Sequence, residues 1–235
     1  MMASKNMFLE NIYRTGKKGK IPVIAEIKPY SPSCGDLLRG RRITEIAKQY
    51  RDSGAACISI VTGKWYGGNT GMLEQLADIL DLPILRKDFI TSKKQVQLSK
   101  KLGASAVLLT KKLLCKEHLQ ELADYCLSID LIPFIEVSSK DELAGLKFNS
   151  NSIVAVNNRD IMIKETCGSG IDKSLCLVDE AKKSGAALTV SASGISTRAE
   201  AHRLIHSGFD ALLIGTVILQ AEDIKKTLTD FTARS

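Results

Sequence analysis

The sequence is poor in the residue types that several common functions need. Only 5% of its 235 residues are aromatic, with a single tryptophan. So few aromatic side chains argue against a surface on which nucleic-acid bases stack. The formal charge of +7 favours anionic partners, but the lysines and arginines are spread along the chain in short pairs rather than gathered in one stripe. We therefore expect a small anionic substrate and no nucleic-acid partner.

Long apolar runs are also missing. No window approaches the ~20 apolar residues that a membrane-spanning helix requires. Residues 1–20 contain Lys5, Glu10 and Arg14 and lack the apolar core of a secretion signal. We expect a cytoplasmic protein with no membrane partner.

Recognisable metal and disulfide motifs are absent as well. The cysteines are scattered, and no two have Cys-x-x-Cys spacing: Cys34, Cys57, Cys115, Cys126, Cys167 and Cys176. Scattered cysteines in a cytosolic enzyme are usually small buried apolar residues, so we assign them no role. His202 and His206 have the i, i+4 spacing of a helical metal pair, but no third ligand lies nearby in the sequence. A solvated helix face is the better interpretation, and we predict no metal site.

Short runs rich in Val, Ile and Leu recur along the chain and predict eight strands. These are residues 22–27, 56–61, 83–85, 106–109, 132–137, 153–156, 187–190 and 211–214. Amphipathic stretches alternate with them and predict helices. These are residues 43–53, 71–80, 93–102, 116–129, 172–184, 197–206 and 221–231, with a short segment at 140–146. Glycine follows several of the helical stretches, as expected at a helix end.

Strands without polar alternation are buried on both faces, and strict alternation with helices indicates parallel pairing. Eight such units in 235 residues favour a closed (β/α)₈ TIM barrel in the α/β class. We expect a short N-terminal extension, 1–20, and a catalytic barrel, 21–235. An open doubly wound sheet is the alternative, although no Gly-x-Gly-x-x-Gly follows the first strand.

Charged residues end the first strand. Glu26 and Lys28 are two positions apart and so point to the same face, which in a barrel is the interior. A buried Glu–Lys ion pair can be purely structural, but it is costly at a strand end unless it is used. We therefore place both residues in a catalytic site.

The third and fifth strands end in a further pair of ionisable residues. Lys87 is expected to be desolvated, which would lower its pKa and suit it to donate a proton or form a Schiff base. Its neighbours Arg86 and Asp88 should face outward or into the loop. Glu136 is expected to have a raised pKa through burial and to complete an acid–base pair, the alternative being a capping or loop carboxylate.

The last three strands end in residues suited to orient and bind an anion. Asn157 can orient a carboxylate or a substrate hydroxyl, and the planar fork of Arg159 suits a phosphate or carboxylate. Small residues follow the seventh and eighth strands, where barrels of this kind usually bind phosphate: Ser193, Gly194, Gly215 and Thr216.

Taken in order, these motifs resemble those of the indole-3-glycerol-phosphate synthase family of tryptophan biosynthesis. The resemblance runs from residue 22 through the eighth unit and rests on PVIAEIK (22–28), SPS (31–33), LRKDFI (85–90), IEV (135–137), NNRD (157–160) and SGI (193–195). It implies a carboxy-lyase that closes 1-(2-carboxyphenylamino)-1-deoxyribulose 5-phosphate to indole-3-glycerol phosphate, with loss of carbon dioxide and water. It implies no cofactor, and we predict a monomer or a weak homodimer.

The resemblance also implies roles for individual residues. Lys87 would protonate the sugar ketone, and Glu136, oriented by Asn157, would be its partner acid or base. Lys28, steered by Glu26, would contact the substrate carboxylate or the departing hydroxyl. The residues that would hold the carboxylate and phosphate ends are Ser31, Arg159, Ser193, Gly194, Gly215 and Thr216.

Three departures from the family pattern leave other functions open. Ala192 stands where the family sequence Ser-Glu-Ser-Gly-Ile has its glutamate, Cys34 stands where a lysine is common, and fewer residues than usual precede the first strand. The first hypothesis is a working synthase. The second is a paralogue that acts on a related arylamine sugar phosphate, and the third is a non-catalytic subunit that binds a sugar phosphate.

Overall fold

The structure is a computed structural model that describes residues 7–159 and 170–234. Asp160, the last residue of the NNRD motif, and Cys167 lie outside the described residues.

Eight parallel strands close into a barrel in chain order, with the last beside the first. They are β1 (Val23–Ile27), β2 (Cys57–Val61), β3 (Ile84–Lys87), β4 (Ala106–Thr110), β5 (Ile132–Val137), β6 (Ile153–Asn157), β7 (Leu188–Ala192) and β8 (Ala211–Ile214). Each contains most of one predicted apolar run. The predicted (β/α)₈ TIM barrel is confirmed, and the open sheet is excluded by the pairing of β1 with β8.

Helices surround the barrel. They are α1 (Met7–Lys17), α2 (Ile43–Asp52), α3 (Thr70–Ile79), α4 (Lys93–Lys101), α5 (Lys116–Ser128), α6 (Lys140–Leu143), α7 (Asp172–Lys183), α8 (Arg198–Ser207), α9 (Thr216–Gln220) and α10 (Ile224–Thr232). All predicted helices are present, and the one after β5 is short, as expected. The sequence patterns did not predict α1, α9, or a small hairpin of Tyr30–Ser31 with Gly35–Asp36.

Several helix boundaries follow from capping side chains. Asn69, Ser92, Ser139 and Asp223 each accept a backbone N–H of the first turn. Thr197 and Glu200 form a reciprocal capping box at α8. The cap at Asp223 explains why α10 begins three residues later than its apolar pattern predicted.

The apolar core lies in two layers because successive strand residues point to opposite sides of the sheet. One set packs outward against the helices, and the other fills the barrel. Leu85, Phe134 and Val190 are inward-facing examples that are fully buried. This alternation decides which strand-end residues reach the interior.

Helix α1 closes the end of the barrel at which the strands begin. The rings of Phe8 and Phe134 meet edge to face with centroids 6.5 Å apart. Asn11 Nδ2 donates to the carbonyl of Ala56 at 3.2 Å, and the Tyr13 hydroxyl donates to the carbonyl of Ala187 at 3.0 Å. Both carbonyls lie just before a strand, so α1 covers the end of the barrel at which the strands begin and leaves the other end, the mouth, uncovered by this helix.

The predicted burial of the cysteines is only partly confirmed. Burial is confirmed for Cys57 and Cys126 and is wrong for Cys34, Cys115 and Cys176, which are exposed.

In the described parts of the chain, no group of three or more His, Cys, Asp or Glu side chains is placed to hold a metal ion. No helix among the described residues has both the length and the apolar character to cross a membrane.

Candidate active site

Polar side chains occupy the inward-facing positions at the ends of several strands and form a partial ring at the mouth of the barrel. The ring consists of Glu26 on β1, Lys87 on β3, Thr110 on β4, Glu136 on β5 and Asn157 on β6. These residues line one cavity. The alternation that buries Leu85 and Phe134 also turns Lys87 and Glu136 inward, because each is two positions further along its strand.

Glu26 and Lys87 form an ion pair across the ring. Lys87 Nζ lies 2.8 Å from Glu26 Oε2, and both side chains are largely buried. Gly215 makes room for the carboxylate, since a Cβ at that position would lie 2.9 Å from the Cβ of Glu26. The ion pair therefore depends on three parts of the barrel. β1 and β3 carry the two charged residues, and Gly215, which follows β8, leaves room for the Glu26 side chain.

The direction of the pKa shift of Lys87 differs from the expectation. Burial alone lowers the pKa of a lysine, but the charges of Glu26 and Glu136 outweigh it, and the pKa of Lys87 is raised. The sequence showed the burial and not the two facing carboxylates. Lys87 is therefore a protonated side chain at neutral pH, which suits a proton donor and does not suit an unactivated Schiff-base nucleophile.

The pKa of Glu136 is raised, as expected. Burial raises the pKa of its carboxyl group, although the Lys87 charge and a hydrogen bond from Asn157 oppose the shift. The backbone N–H of Arg159 donates to Asn157 Oδ1 at 3.0 Å, which leaves the Asn157 amide nitrogen to donate to Glu136. Asn157 therefore orients Glu136, as the sequence predicted.

Lys28 follows β1 and lines the same cavity, on the side away from β5. Its side chain is almost fully buried, and Nζ lies 5.7 Å from the centre of the Tyr66 ring. Tyr66 belongs to a short 3₁₀ helix, Lys64–Tyr66, that follows β2. The cation–π contact holds the Lys28 ammonium at the wall of the cavity.

The small residues after β7 and β8 form the wall of the cavity that faces β3 and β4. Ser193, Gly194, Gly215 and Thr216 all line the cavity, and Arg159 joins them from the end of β6. They are the residues for which the sequence predicted anion binding, and the structure places all of them along the cavity.

The turn after β7 has an unusual backbone. Ser193 and Gly194 have φ of 65° and 73°, and a Cβ at Gly194 would lie 2.4 Å from the carbonyl oxygen of Gly170. Asn158 holds the turn in place, since its Nδ2 donates to the carbonyl of Ser193 at 2.9 Å. A serine in the left-handed region is strained, and such strain is concentrated at functional sites.

Ser31 is placed differently from the other candidates. It is fully buried in the small hairpin, with its hydroxyl 3.1 Å from that of Ser33. Among the described residues it is the adjacent Pro32, and not Ser31, that lines the cavity. The structure thus brings together every predicted site residue except Ser31.

Arg86 faces away from the barrel interior, as expected, whereas Asp88, in the loop after β3, also belongs to the lining of the cavity. The Arg86 guanidinium donates to Thr62 Oγ1 at 3.1 Å, to Ser99 Oγ at 3.1 Å and to Asp88 Oδ2 at 3.0 Å. Ser99 lies on α4, so this buried network ties the end of β3 to a helix and to the end of β2. It holds the backbone of Lys87 in place from behind.

Sequence reasoning missed several residues of the cavity. Trp65 and Phe89 stack at its rim with ring centroids 5.6 Å apart, and Thr110 lies within the ring. The predicted fourth strand ended at residue 109, one position too early. Thr110 has the same parity as Ala106 and Leu108, and that alternation would have identified it as inward-facing.

Ala192 ends β7 and faces the barrel interior. It is fully buried and pairs in register with Asn157 on β6 and Leu213 on β8. A polar side chain here would complete the ring between Asn157 and Gly215. The ring instead has an apolar gap on this side.

The fold and the site define a (β/α)₈ barrel whose strand ends present lysines and carboxylates to one cavity, with small residues opposite. The indole-3-glycerol phosphate synthase family model matches residues 1–231. The chain is 42% identical over 217 residues to the indole-3-glycerol phosphate synthase of Pyrococcus furiosus, covering 92% of this chain and 93% of that protein. The chain belongs to the indole-3-glycerol phosphate synthase family.

Two other proteins place this similarity in context. The tryptophan biosynthesis protein TrpCD of Archaeoglobus fulgidus is 37% identical over 219 residues, which are 93% of this chain but only 39% of that protein. Among solved structures, the tryptophan synthase subunit alpha of Legionella pneumophila has a TM-score of 0.68 at 12% identity, covering 96% of this chain and 97% of that chain. At that identity the likeness shows the barrel fold alone.

Proposed function

We propose that the protein closes 1-(2-carboxyphenylamino)-1-deoxyribulose 5-phosphate to indole-3-glycerol phosphate, with loss of carbon dioxide and water. The observation that carries this proposal is the ion pair of Lys87 with Glu26 beside the buried Glu136, in a cavity whose opposite wall suits a phosphate. Membership of the family supports the same reaction. The proposed reaction requires no cofactor.

The raised pKa of Lys87 suits the first step. Attack of the aromatic ring carbon on the sugar ketone builds negative charge on the ketone oxygen, and a protonated lysine can stabilise that charge and transfer a proton to it. Glu26 keeps Lys87 protonated and aimed into the cavity. Loss of carbon dioxide then restores the aromatic ring.

The second step removes water, and Glu136 suits it. Its raised pKa favours the protonated carboxyl group, which can deliver a proton to the departing hydroxyl. Lys87, neutral after the first step, can take the proton that leaves the adjacent CH₂ carbon as the indole double bond forms. Lys28 lies on the other side of the cavity, where its charge can pair with the substrate carboxylate.

The phosphate end of the substrate is assigned to the wall after β7 and β8. Arg159, Ser193 and Thr216 offer a cation and two hydroxyl groups there, and Gly194 and Gly215 let a ligand approach the backbone. The reacting end of the substrate then faces Lys87 and Glu136. Loops after the seventh and eighth strands are the usual phosphate site of this fold.

The direct test supplies the substrate and follows indole fluorescence and carbon dioxide release. Lys87→Ala should reduce kcat by a factor of about 10² to 10⁴, the usual contribution of a positioned proton donor. Lys94→Ala is the matched control, because Lys94 is an exposed lysine of α4. Absence of turnover by the wild type refutes the proposed reaction, and unchanged turnover by Lys87→Ala refutes the role of Lys87.

Ala192 favours a second candidate function. With an apolar residue at this place in the ring, the protein would act on a related arylamine sugar phosphate, or bind one without turnover. Ala192→Glu tests the point, with Ala192→Gln as the neutral control. If the missing carboxylate limits the proposed reaction, the glutamate variant gains about tenfold in kcat/KM over the glutamine variant. A gain absent from both variants, together with turnover of another arylamine substrate, supports the second function.

A further inference from the structure

Two buried oxygen atoms on one side of the cavity lack a hydrogen-bond partner among the described residues. They are Oγ1 of Thr110 and Oε2 of Glu136. Thr110 is 4% exposed and Glu136 is 2% exposed. An unpaired buried polar atom costs about 1–3 kcal/mol, and native proteins contain few of them. A pair of such atoms in a ligand cavity therefore indicates polar atoms of the ligand.

The two residues are direct neighbours. Thr110 pairs in register with Glu136 on adjacent parallel strands, and both residues line the cavity. Adjacent strands lie about 4.8 Å apart, so an oxygen atom between the two side chains can reach both. A threonine hydroxyl both donates and accepts, and it therefore complements a carboxyl group in either protonation state.

Thr110 also lies on the strand next to the one that carries Lys87. β4 lies between β3, which carries Lys87, and β5, which carries Glu136. Thr110 is thus the uncharged polar side chain between the proposed proton donor of the first step and that of the second. Rotation of a threonine about χ1 exchanges the positions of its hydroxyl and its methyl group, so a cavity-lining threonine can turn its hydroxyl toward a ligand.

The inward-facing strand residues of β7 and β8, on the other side of the ring, offer no polar side chain to the ligand. Ala192 and Leu213 are apolar and buried, and Gly215 has no side chain. With the phosphate assigned to the wall after β7 and β8, the reacting carbon of the substrate lies toward β3, β4 and β5. On that side Thr110 is the uncharged polar side chain that β4 contributes to the lining of the cavity.

We propose that Thr110 is a further substrate-binding residue, whose hydroxyl acts together with Oε2 of Glu136 to hold the ketone oxygen of the substrate, the atom that Lys87 protonates. The inference rests on the proposed function and deepens it. A ligand that carries this oxygen supplies a hydrogen-bond partner for both Thr110 Oγ1 and Glu136 Oε2. A ligand without the oxygen leaves both atoms unpaired, so the site should bind it less tightly.

The test measures binding rather than turnover. Two unreactive analogues of the substrate are compared by calorimetry, one with a hydroxyl group in place of the ketone and one with a methylene group. The wild type should bind the hydroxyl analogue about tenfold more tightly. Thr110→Val should reduce this preference several-fold, because only Glu136 and Lys87 then remain to bind the oxygen, and Thr110→Ser, which retains a hydroxyl, should keep it.

Ser59→Ala is the control. Ser59 Oγ is also buried without a partner among the described residues, but Ser59 does not belong to the described lining of the cavity. Its removal should leave the preference unchanged. Thr110→Val should unfold no more easily than the wild type, because it removes an unpaired hydroxyl at nearly constant shape. A valine variant that folds and keeps the preference overturns the assignment.

The outcomes separate the two proposals. If the wild type binds both analogues and the preference depends on Thr110 but the substrate is not turned over, the proposed reaction fails and the binding role stands. If turnover occurs and Thr110→Val retains the preference, the reaction stands and the role of Thr110 fails. If the wild type binds neither analogue and turns over no substrate, both fail.

Discussion

Lys87 Nζ lies 2.8 Å from Glu26 Oε2, although the two residues stand on strands that do not touch each other. The barrel brings them together because both side chains point inward at the same end. The ammonium group is held between two buried carboxylates, which is why its pKa is raised despite burial. This relationship makes the pH dependence of activity a direct readout of the site.

Glu26→Gln should move the alkaline limb of the kcat/KM profile to lower pH. The substitution removes the principal charge that raises the pKa of Lys87, so the lysine loses its proton at a lower pH and the active form is lost sooner. We also expect kcat to fall about tenfold through poorer positioning. A matched control is Glu121→Gln, which removes the partner of exposed Lys93 at 2.7 Å. An alkaline limb that stays in place would show that Lys87 is not the titrating donor.

Gly215→Ala should reproduce the same shift without changing any charge. An alanine Cβ at Gly215 would lie 2.9 Å from the Cβ of Glu26 and displace it. We expect kcat to fall by about 10², as for other small displacements of a catalytic group. Gly16→Ala is the control, since its Cβ makes only an ordinary contact at 3.8 Å with Pro22. Unchanged kinetics in Gly215→Ala would mean that Glu26 can move freely.

Glu136→Gln should stabilise the protein at neutral pH and inactivate it. The native pKa of Glu136 is raised by burial, so the native state loses stability as pH rises from the usual carboxyl range through the raised value. Glutamine has no such loss and should gain about 1 kcal/mol, or ~2–4 °C in Tm. The gain should vanish in acid, where both states are protonated. Urea unfolding at neutral and acidic pH measures it, and an equal gain at both would refute the raised pKa.

Gly194→Ala should weaken substrate binding and lower stability. Alanine at φ of 73° costs about 1–2 kcal/mol, and its Cβ would also lie 2.4 Å from the carbonyl oxygen of Gly170. Gly19→Ala separates the two effects, because Gly19 has φ of 71° with nothing within 4 Å of its Cβ. We expect KM to rise about tenfold in Gly194→Ala alone. Equal unfolding midpoints for the two variants would show that the chain accommodates the contact with Gly170 without a further loss of stability.

Much of the site could be predicted because strand alternation is a strong local rule. An apolar residue two positions before Lys87, Glu136 or Asn157 is enough to place each side chain inside a barrel, and the structure confirms all three. Ser31 lies beyond the strand, where a turn decides the direction of each side chain. Alternation gives no guidance there, and the hairpin buries Ser31 beside the cavity wall.

The electrostatics of the site required the fold. Whether the pKa of a buried lysine is raised or lowered depends on the charges that surround it, and Glu26 is 61 positions from Lys87. The apolar run before Lys87 indicated desolvation correctly, but the opposing carboxylates come from two other strands. Helix α1 was also missed: its buried apolar residues Phe8, Leu9 and Ile12 find their partners only in the closed barrel.

Helix α1 has a consequence for the order in which the protein folds. Its hydrogen bond from Tyr13 to Ala187 spans 174 positions, so the full set of contacts of the helix forms only when the chain up to β7 is in place. Contacts of such long range close slowly because the loop entropy is lost before they form. The helix is synthesised before every strand and docks after most of them. Until then Phe8, Leu9 and Ile12 remain unburied, which makes this segment the part of the nascent chain most in need of protection from aggregation.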